Sequence, residues 1–344
     1  MSSPREPGLE RMLGYAGRLP DDLLAGFRQG QRFSDALGQD GPRPIVAVGL
    51  GGSAIAADLT ASMLEAGAET SLRVVRGEEL PRGVDARTTV IVLSHSGETR
   101  EALAAFAAAG RRRARRIVIA SGGRLAQRAA VGGVPVVRVP DGRPPRAALG
   151  HLWGALIGLV DERFDRPYAG RLRRLAAGLE PTVARLRSDG GPATSLARHL
   201  AAGRPTVVTP RALAPVGRRW ASQLEENAKL LASLRELPEA LHNAIEGWEA
   251  LTPADARREP VVLLAWSGAP AAERRAAAYL AGRLRARAIP LRSVALRGEP
   301  LTAMAAGVLY ADFTSLALAR RFGVDPSRVG AIGRARAALA GGPR

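Results

Sequence analysis

The sequence predicts an α/β protein with two domains, each a parallel sheet flanked by helices in three layers. Three observations lead there. Apolar, β-branched runs of five or six residues alternate with Ala- and Leu-rich stretches, as strands buried on both faces and their crossover helices do. Two of those runs end in glycine- and serine-rich loops, each followed by a helical stretch. The second half of the 344-residue chain repeats the rhythm more faintly, as a duplicated unit would.

In order along the chain, residues 1–40 read as a helical lead-in. The first domain, 41–165, holds strand 44–49, helix 53–66, strands 72–76 and 88–94, helix 99–109, strand 116–120, a short helix 124–130, strand 134–139 and helix 146–162. A helical connection, 166–192, contains the Arg/Leu-rich stretch 169–187 and closes on Ser188-Asp189-Gly190-Gly191-Pro192. The second domain, 193–344, has strands 205–209, 261–266 and 291–296, helices 216–234, 271–286 and 300–321, and further C-terminal helix. Helix 216–234 would bury a stripe of Trp220, Leu224, Ala228 and Leu231, which turns Glu226 away from the core.

Composition narrows the classes. The absence of cysteine excludes disulfides and Cys-ligated zinc and fits a reducing cytoplasm. The net charge of +18 raises a nucleic-acid partner, because clustered cations neutralise phosphates. Against it, Lys229 is the single lysine, and the arginines are scattered through Ala-, Gly- and Pro-rich sequence, the mark of GC bias. Only Arg111-Arg112-Arg113 with Arg115-Arg116 is dense, and it reads as a solvated connection. Aromatic residues are too few for a stacking platform, so no nucleic acid is expected. The Met1–Pro7 stretch lacks an apolar signal region and no apolar run approaches the ~18 residues of a membrane span, so no membrane is expected either. The four histidines do not cluster, and no metal is called for.

Gly49-Leu50-Gly51-Gly52-Ser53-Ala54 and Ser94-His95-Ser96-Gly97-Glu98-Thr99 each leave backbone amides and short hydroxyls free at a helix start, where the helix adds partial positive charge. Two such anion cradles at successive strand ends would face one sheet edge and predict a phosphorylated ligand. Helix capping by Ser53, Ser94, Ser96 and Thr99 remains the alternative. The first loop also satisfies a dinucleotide fingerprint, but its second strand ends at Val75-Arg76-Gly77 rather than on an acidic residue, so no cofactor is expected.

Five motifs together resemble the bifunctional phosphoglucose/phosphomannose isomerases, which are tandem sugar-isomerase (SIS) domain proteins. They are Gly-Leu-Gly-Gly-Ser-Ala at 49–54, Ser-His-Ser-Gly-Glu-Thr at 94–99, Pro-Asp-Gly-Arg-Pro-Pro-Arg-Ala-Ala-Leu at 140–149, Glu-Asn-Ala-Lys at 226–229, and Leu-Pro-Glu-Ala-Leu-His-Asn-Ala-Ile-Glu-Gly-Trp-Glu at 237–249. The resemblance implies a cytoplasmic enzyme of carbohydrate metabolism that interconverts fructose 6-phosphate with glucose 6-phosphate and mannose 6-phosphate through a cis-enediol. A sugar-phosphate-binding protein with little or no catalysis is the alternative.

By the same resemblance, Ser94, Ser96 and Thr99 hold the phosphate, and Gly52 and Ser53 the sugar or phosphate end. Glu226 is the proton-transfer base, His242 opens the sugar ring, and Arg146 stabilises the enediolate. Read without it, Glu226 is an exposed helix glutamate beside Lys229, His242 a structural histidine and Arg146 a surface arginine. Arg336 stands where the family has a lysine, Glu98 where it commonly has asparagine, and Leu241 and Ala244 replace polar residues around the histidine. The resemblance further implies a homodimer whose histidine crosses to the partner's site.

Overall fold

The computed structural model describes residues 6–38, 43–65, 71–164 and 167–340. Residues 1–5, the expected boundary at 40–41, residue 66 of the expected first helix, the boundary at 165–166 and the last four residues lie outside that set. The chain forms two compact units. One is Arg18–Leu179; the other joins Met1–Gly17 to Glu180–Arg344. Helix α1 (Glu6–Gly17) thus belongs to the second unit and α2 (Leu19–Gln31) to the first.

In the first unit follow β1 (Ile45–Val48), α3 (Gly52–Glu65), β2 (Leu72–Val75), β3 (Thr89–Leu93), α4 (Arg100–Arg111), β4 (Arg115–Ala120), α5 (Gly123–Val131), β5 (Val136–Arg138), a 3₁₀ turn at Pro145–Ala148, and α6 (Leu149–Leu159). The sheet is parallel throughout in the order β2-β1-β3-β4-β5. Its connections reverse direction between β1 and β3, which pair from Ile45 with Thr89 to Val48 with Val92. Ligands of open α/β sheets bind at such a reversal, and the two loops flagged in the sequence flank this one. On one face Val46, Val48, Val90, Val92 and Val118 pack under Leu103 and Phe106 of α4 and Leu125 of α5.

Beyond the sheet, α2 and α6 approach until backbones touch. A Cβ on Gly26 would stand 2.3 Å from the His151 carbonyl and one on Gly30 1.9 Å from that of Ala155. On the facing helix, Gly154 and Gly158 would each meet a carbonyl of α2 at 2.1 Å, those of Leu23 and Phe27. Glycines four apart on both helices clear the groove that this contact requires.

Arg111 and Arg113 of the arginine cluster are exposed, as a solvated connection would leave them, whereas Arg112, Arg115 and Arg116 are half-buried and used within this unit. Arg112 Nη1 donates to Pro81 O at 2.5 Å, Arg115 to Leu37 O, and the Arg116 guanidinium lies 4.6 Å over the Phe106 ring.

Helix α7 (Ala169–Arg187) runs across the boundary at residue 179, and the second unit continues with α8 (Pro192–Leu200), β6 (Thr206–Pro210), α9 (Ala214–Ala228), β7 (Ser233–Leu237), α10 (Ala244–Glu249), α11 (Pro253–Ala256), β8 (Val261–Trp266), α12 (Ala271–Ala286), β9 (Leu291–Leu296), α13 (Pro300–Phe322) and α14 (Gly330–Ala340). Its sheet is also parallel, in the order β7-β6-β8-β9.

Two expectations are corrected here. The helix expected over 216–234 stops at Ala228, where Lys229 turns left-handed (φ 59°), and residues 233–237 form an edge strand against β6 instead. Leu231 therefore leaves the expected apolar stripe and is 80% exposed, whereas Trp220, Leu224 and Ala228 are buried as read. Second, α13 is long and apolar enough to cross a membrane by length and composition. In this structure it is a core helix, with 78% of its apolar window buried and the Trp220 indole N–H donating to its Gly307 carbonyl at 3.0 Å.

Candidate active site

The loop after β3 is shaped by what it presses against. Gly97 has φ 66°, and a Cβ there would lie 1.9 Å from the Gly122 carbonyl, so this loop packs on the turn after β4 with no room for a side chain. Leu125 N–H donates to Gly97 O at 2.9 Å and fixes the approach. Within the loop, Thr99 takes the N-cap position of α4 in extended conformation, yet its side chain makes no capping bond. Its Oγ1 lies 3.0 Å from Ser94 Oγ instead. An N-cap threonine ordinarily bonds the free amides of its own helix; here the Thr99 hydroxyl pairs with that of Ser94 and caps none of them. Ser96 is exposed, and its Oγ accepts from Glu98 N–H at 3.3 Å.

Glu98, in the same loop, is engaged by Arg124. Its Oε2 accepts from Arg124 Nε at 2.7 Å and its Oε1 from Arg124 N–H at 2.8 Å. Those bonds hold its carboxyl below the usual range, with the charge committed to the first turn of α5.

The loop after β1 delivers Gly52 and Ser53 in the first turn of α3, with Ser53 buried. A Cβ on Gly52 would stand 3.1 Å from Pro145 O and 3.5 Å from Arg146 Cα. The structure therefore brings Gly52 against the turn that carries Arg146. Arg146 itself is 3% exposed, which excludes the reading of an ordinary surface arginine. A guanidinium enters a protein interior only where polar partners meet it.

Sequence reasoning missed the residues behind this wall. His95, buried in the same loop, places Nε2 3.1 Å from Pro140 O, and its own carbonyl accepts from Ser121 N–H at 2.9 Å and Ser121 Oγ at 2.7 Å. Burial pushes its imidazole below the usual histidine range, against the Pro140 bond and the Asp141 charge. Asp22 of α2 is buried between Arg143, which donates to it, and His151, whose Nε2 is 3.2 Å away. These groups tie the 140–146 segment to the sheet and to α2. Only their burial distinguishes them, and a single sequence does not display it.

The second unit carries Glu226, His242 and Arg336. Glu226 is half-buried in the last turn of α9, whose inner side is anchored by a buried polar network. Arg219 Nε and Nη2 donate to the two carboxylate oxygens of Asp312 at 2.9 Å each, Gln223 Nε2 to the same carboxylate at 2.9 Å, and Asn227 Nδ2 to Ser315 Oγ at 3.0 Å. Breaking buried charge-assisted bonds such as the Arg219–Asp312 pair is costly, so α9 is held to α13 in one register. His242 is exposed at the end of the 3₁₀ turn Glu239–Leu241, between β7 and α10, and Asn243 Oδ1 caps α10 right after it. Arg336 is exposed on α14.

Comparison with known proteins gives the family of the chain. Residues 190–339 match the family described as the bacterial phospho-glucose isomerase C-terminal SIS domain. A bifunctional phosphoglucose/phosphomannose isomerase of Caldicellulosiruptor bescii is 30% identical over 238 residues, 67% of this chain and 70% of that protein. A D-glucosamine-6-phosphate 4-epimerase of Sulfolobus acidocaldarius is 30% identical over 220 residues, 62% of this chain and 68% of that protein. Among solved structures, a hypothetical protein of Thermus thermophilus superposes with a TM-score of 0.76 at 16% identity, covering 97% of this chain and 93% of its own.

Proposed function

Because this chain belongs to the bifunctional phosphoglucose/phosphomannose isomerase family, we propose that it interconverts fructose 6-phosphate with glucose 6-phosphate and mannose 6-phosphate. The phosphate binds the Ser94–Thr99 loop, where three hydroxyls and the first amides of α4 supply donors and partial positive charge. The observation that carries this is Thr99, an N-cap residue whose hydroxyl bonds Ser94 and not its own helix. Gly52 and Ser53 contact the substrate from the neighbouring strand end.

His242 moves a proton between the ring oxygen and the anomeric hydroxyl, giving the open chain. The Glu226 carboxylate takes the proton from C2 of the aldose as O1 gains a proton to give the cis-enediol; the O2 proton is then lost as the C2 carbonyl forms, and the same carboxyl returns its proton to C1 to give the ketose. Return to either face of C2 in the reverse direction separates glucose from mannose. The buried Arg146 guanidinium stabilises the negative charge on the enediolate oxygens. Arg336, where the family has a lysine, supplies positive charge to this chemistry.

A homodimer that shares its two sites and works in the cytoplasm completes the reading. It is supported by the exposure of His242 and by a chain without cysteine. The test is a coupled assay on purified protein with fructose 6-phosphate, reading glucose 6-phosphate and mannose 6-phosphate separately, with glucosamine 6-phosphate as a second substrate. Binding without turnover of any of them would leave only the sugar-phosphate-binding reading.

A further inference from the structure

Lys229 is the one lysine in a chain that writes every other basic residue as arginine. It also occupies a left-handed position, φ 59° and ψ 31°, which ends α9 and which ordinarily falls to glycine because a Cβ is unfavourable there. Leu230 N–H closes the helix on Leu224 O at 3.1 Å, so the Glu226 carbonyl in the last turn keeps no i+4 amide. Lys229 Nζ donates to that carbonyl at 2.5 Å and, from the same nitrogen, to Arg328 O at 2.6 Å.

The far end of this bridge is itself rigid. Ser327 N–H and Oγ donate to Asp325 Oδ1 at 2.8 and 2.6 Å, and Arg328 Nε lies 3.2 Å from Asp325 Oδ2. Burial opposes ionisation of Asp325, but these bonds and the charges of Arg328 and Lys229 hold its carboxyl below the usual range. A tetrahedral ammonium can stand between two carbonyls at one point. A planar guanidinium, longer and with its donors spread over a fork, cannot do so without moving one of them.

We infer that Lys229 is the positioning residue for Glu226, an ammonium pin that locks the carbonyl of Glu226 to the 325–328 turn and so fixes where the carboxylate stands. The proposal rests on Glu226 being the proton-transfer base. It explains why lysine persists at this one position: neither charge alone nor helix termination alone requires it, since arginine supplies the first and glycine the second.

The chain has no cysteine, so Lys229→Cys introduces its sole thiol, which 2-bromoethylamine converts to a thioether ammonium nearly isosteric with lysine. The expected result for Lys229→Cys is a ~10–100-fold loss of kcat with KM nearly unchanged, the cost of a base displaced by about an ångström. Aminoethylation should restore most of the rate, whereas the neutral adduct from iodoacetamide should not. Lys229→Arg, which keeps the charge and is the second variant should the first fail to fold, should lose kcat by at least about 10-fold. Full activity of Lys229→Arg, or equal rescue by the neutral adduct, overturns the pin. Glu226→Gln separates the two readings. If it is inactive while the Lys229 variants keep wild-type kcat, the pin alone is wrong; if it retains wild-type kcat, the base assignment falls and the pin with it.

Discussion

The hydroxyl of Thr99 separates a cap from a ligand. If it served α4, its removal would destabilise the helix; paired with Ser94 Oγ at 3.0 Å and making no capping bond, it should matter to substrate instead. Thr99→Val keeps the volume and is expected to weaken sugar-phosphate binding by about 1.5–3 kcal/mol, roughly 10- to 100-fold in KM, with the melting temperature unchanged. Steady-state kinetics beside a thermal melt would check both halves, and a lowered melting temperature with unchanged KM would return Thr99 to capping. A second residue-scale expectation concerns pH. Burial holds both His95 and His199 below the usual 6.5, so each takes up a proton less readily in the folded protein than when unfolded. Their contribution to stability is therefore complete above pH ~6.5 and shrinks as pH falls below it. His199→Gln cannot titrate yet keeps an N–H for Val261 O, which His199 Nε2 faces at 3.0 Å; melts at pH 7.5 and 5.5 should show a smaller acid loss than in wild type. The loop residues were legible because glycine and small hydroxyls at a strand end have few other uses. His95 and Asp22 were not, since their roles come from burial and from partners 45 and 121 positions away.

At the scale of elements, glycine means different things at different places. Gly30 of α2 faces the Ala155 carbonyl at a virtual Cβ distance of 1.9 Å, whereas Gly282, inside α12, has nothing within 4 Å. Gly30→Ala should force α2 and α6 apart and cost at least about 1–3 kcal/mol. Gly282→Ala should gain about 0.5–1 kcal/mol from helix propensity alone. Urea titrations of the two variants would test the pair, and a stable Gly30→Ala protein would mean that the two helices do not pack backbone to backbone. The spacing of Gly26 and Gly30, and of Gly150, Gly154 and Gly158, stands in the sequence, but in a chain with 39 glycines only the facing helix gives it meaning. Strand β7 was illegible for a related reason. It is an edge strand with Leu237 its one buried residue, and the Ala/Leu-rich stretch before it continues a helical pattern that Lys229 breaks by conformation, not by composition.

For the whole molecule, the sequence announced two parallel α/β units because strands buried on both faces must be apolar throughout. It did not announce that β1 and β3 are neighbours, and that adjacency is what sets the Gly49–Ala54 and Ser94–Thr99 loops on either side of one reversal. The roles of Glu226 and His242 came from resemblance, since neither position has a feature that raises it above an ordinary glutamate or histidine. Their settings differ in a way that bears on assembly. Glu226 is on a helix held by a buried network, while His242 sits exposed on a short turn, the arrangement expected of a residue donated to a second copy. If the active sites are shared in an isologous dimer, each site takes Glu226 from one chain and His242 from the other. Glu226→Ala and His242→Ala homodimers should then both be nearly inactive. Unfolding and refolding them together pairs chains at random, about half of the dimers are mixed, and each mixed dimer has one intact site of its two, so activity should return to about a quarter of wild type. Native mass spectrometry confirms that mixed dimers have formed. Mixed dimers with no activity would place Glu226 and His242 of one chain in the same site, and a protein that stays monomeric at assay concentration would remove the shared site altogether.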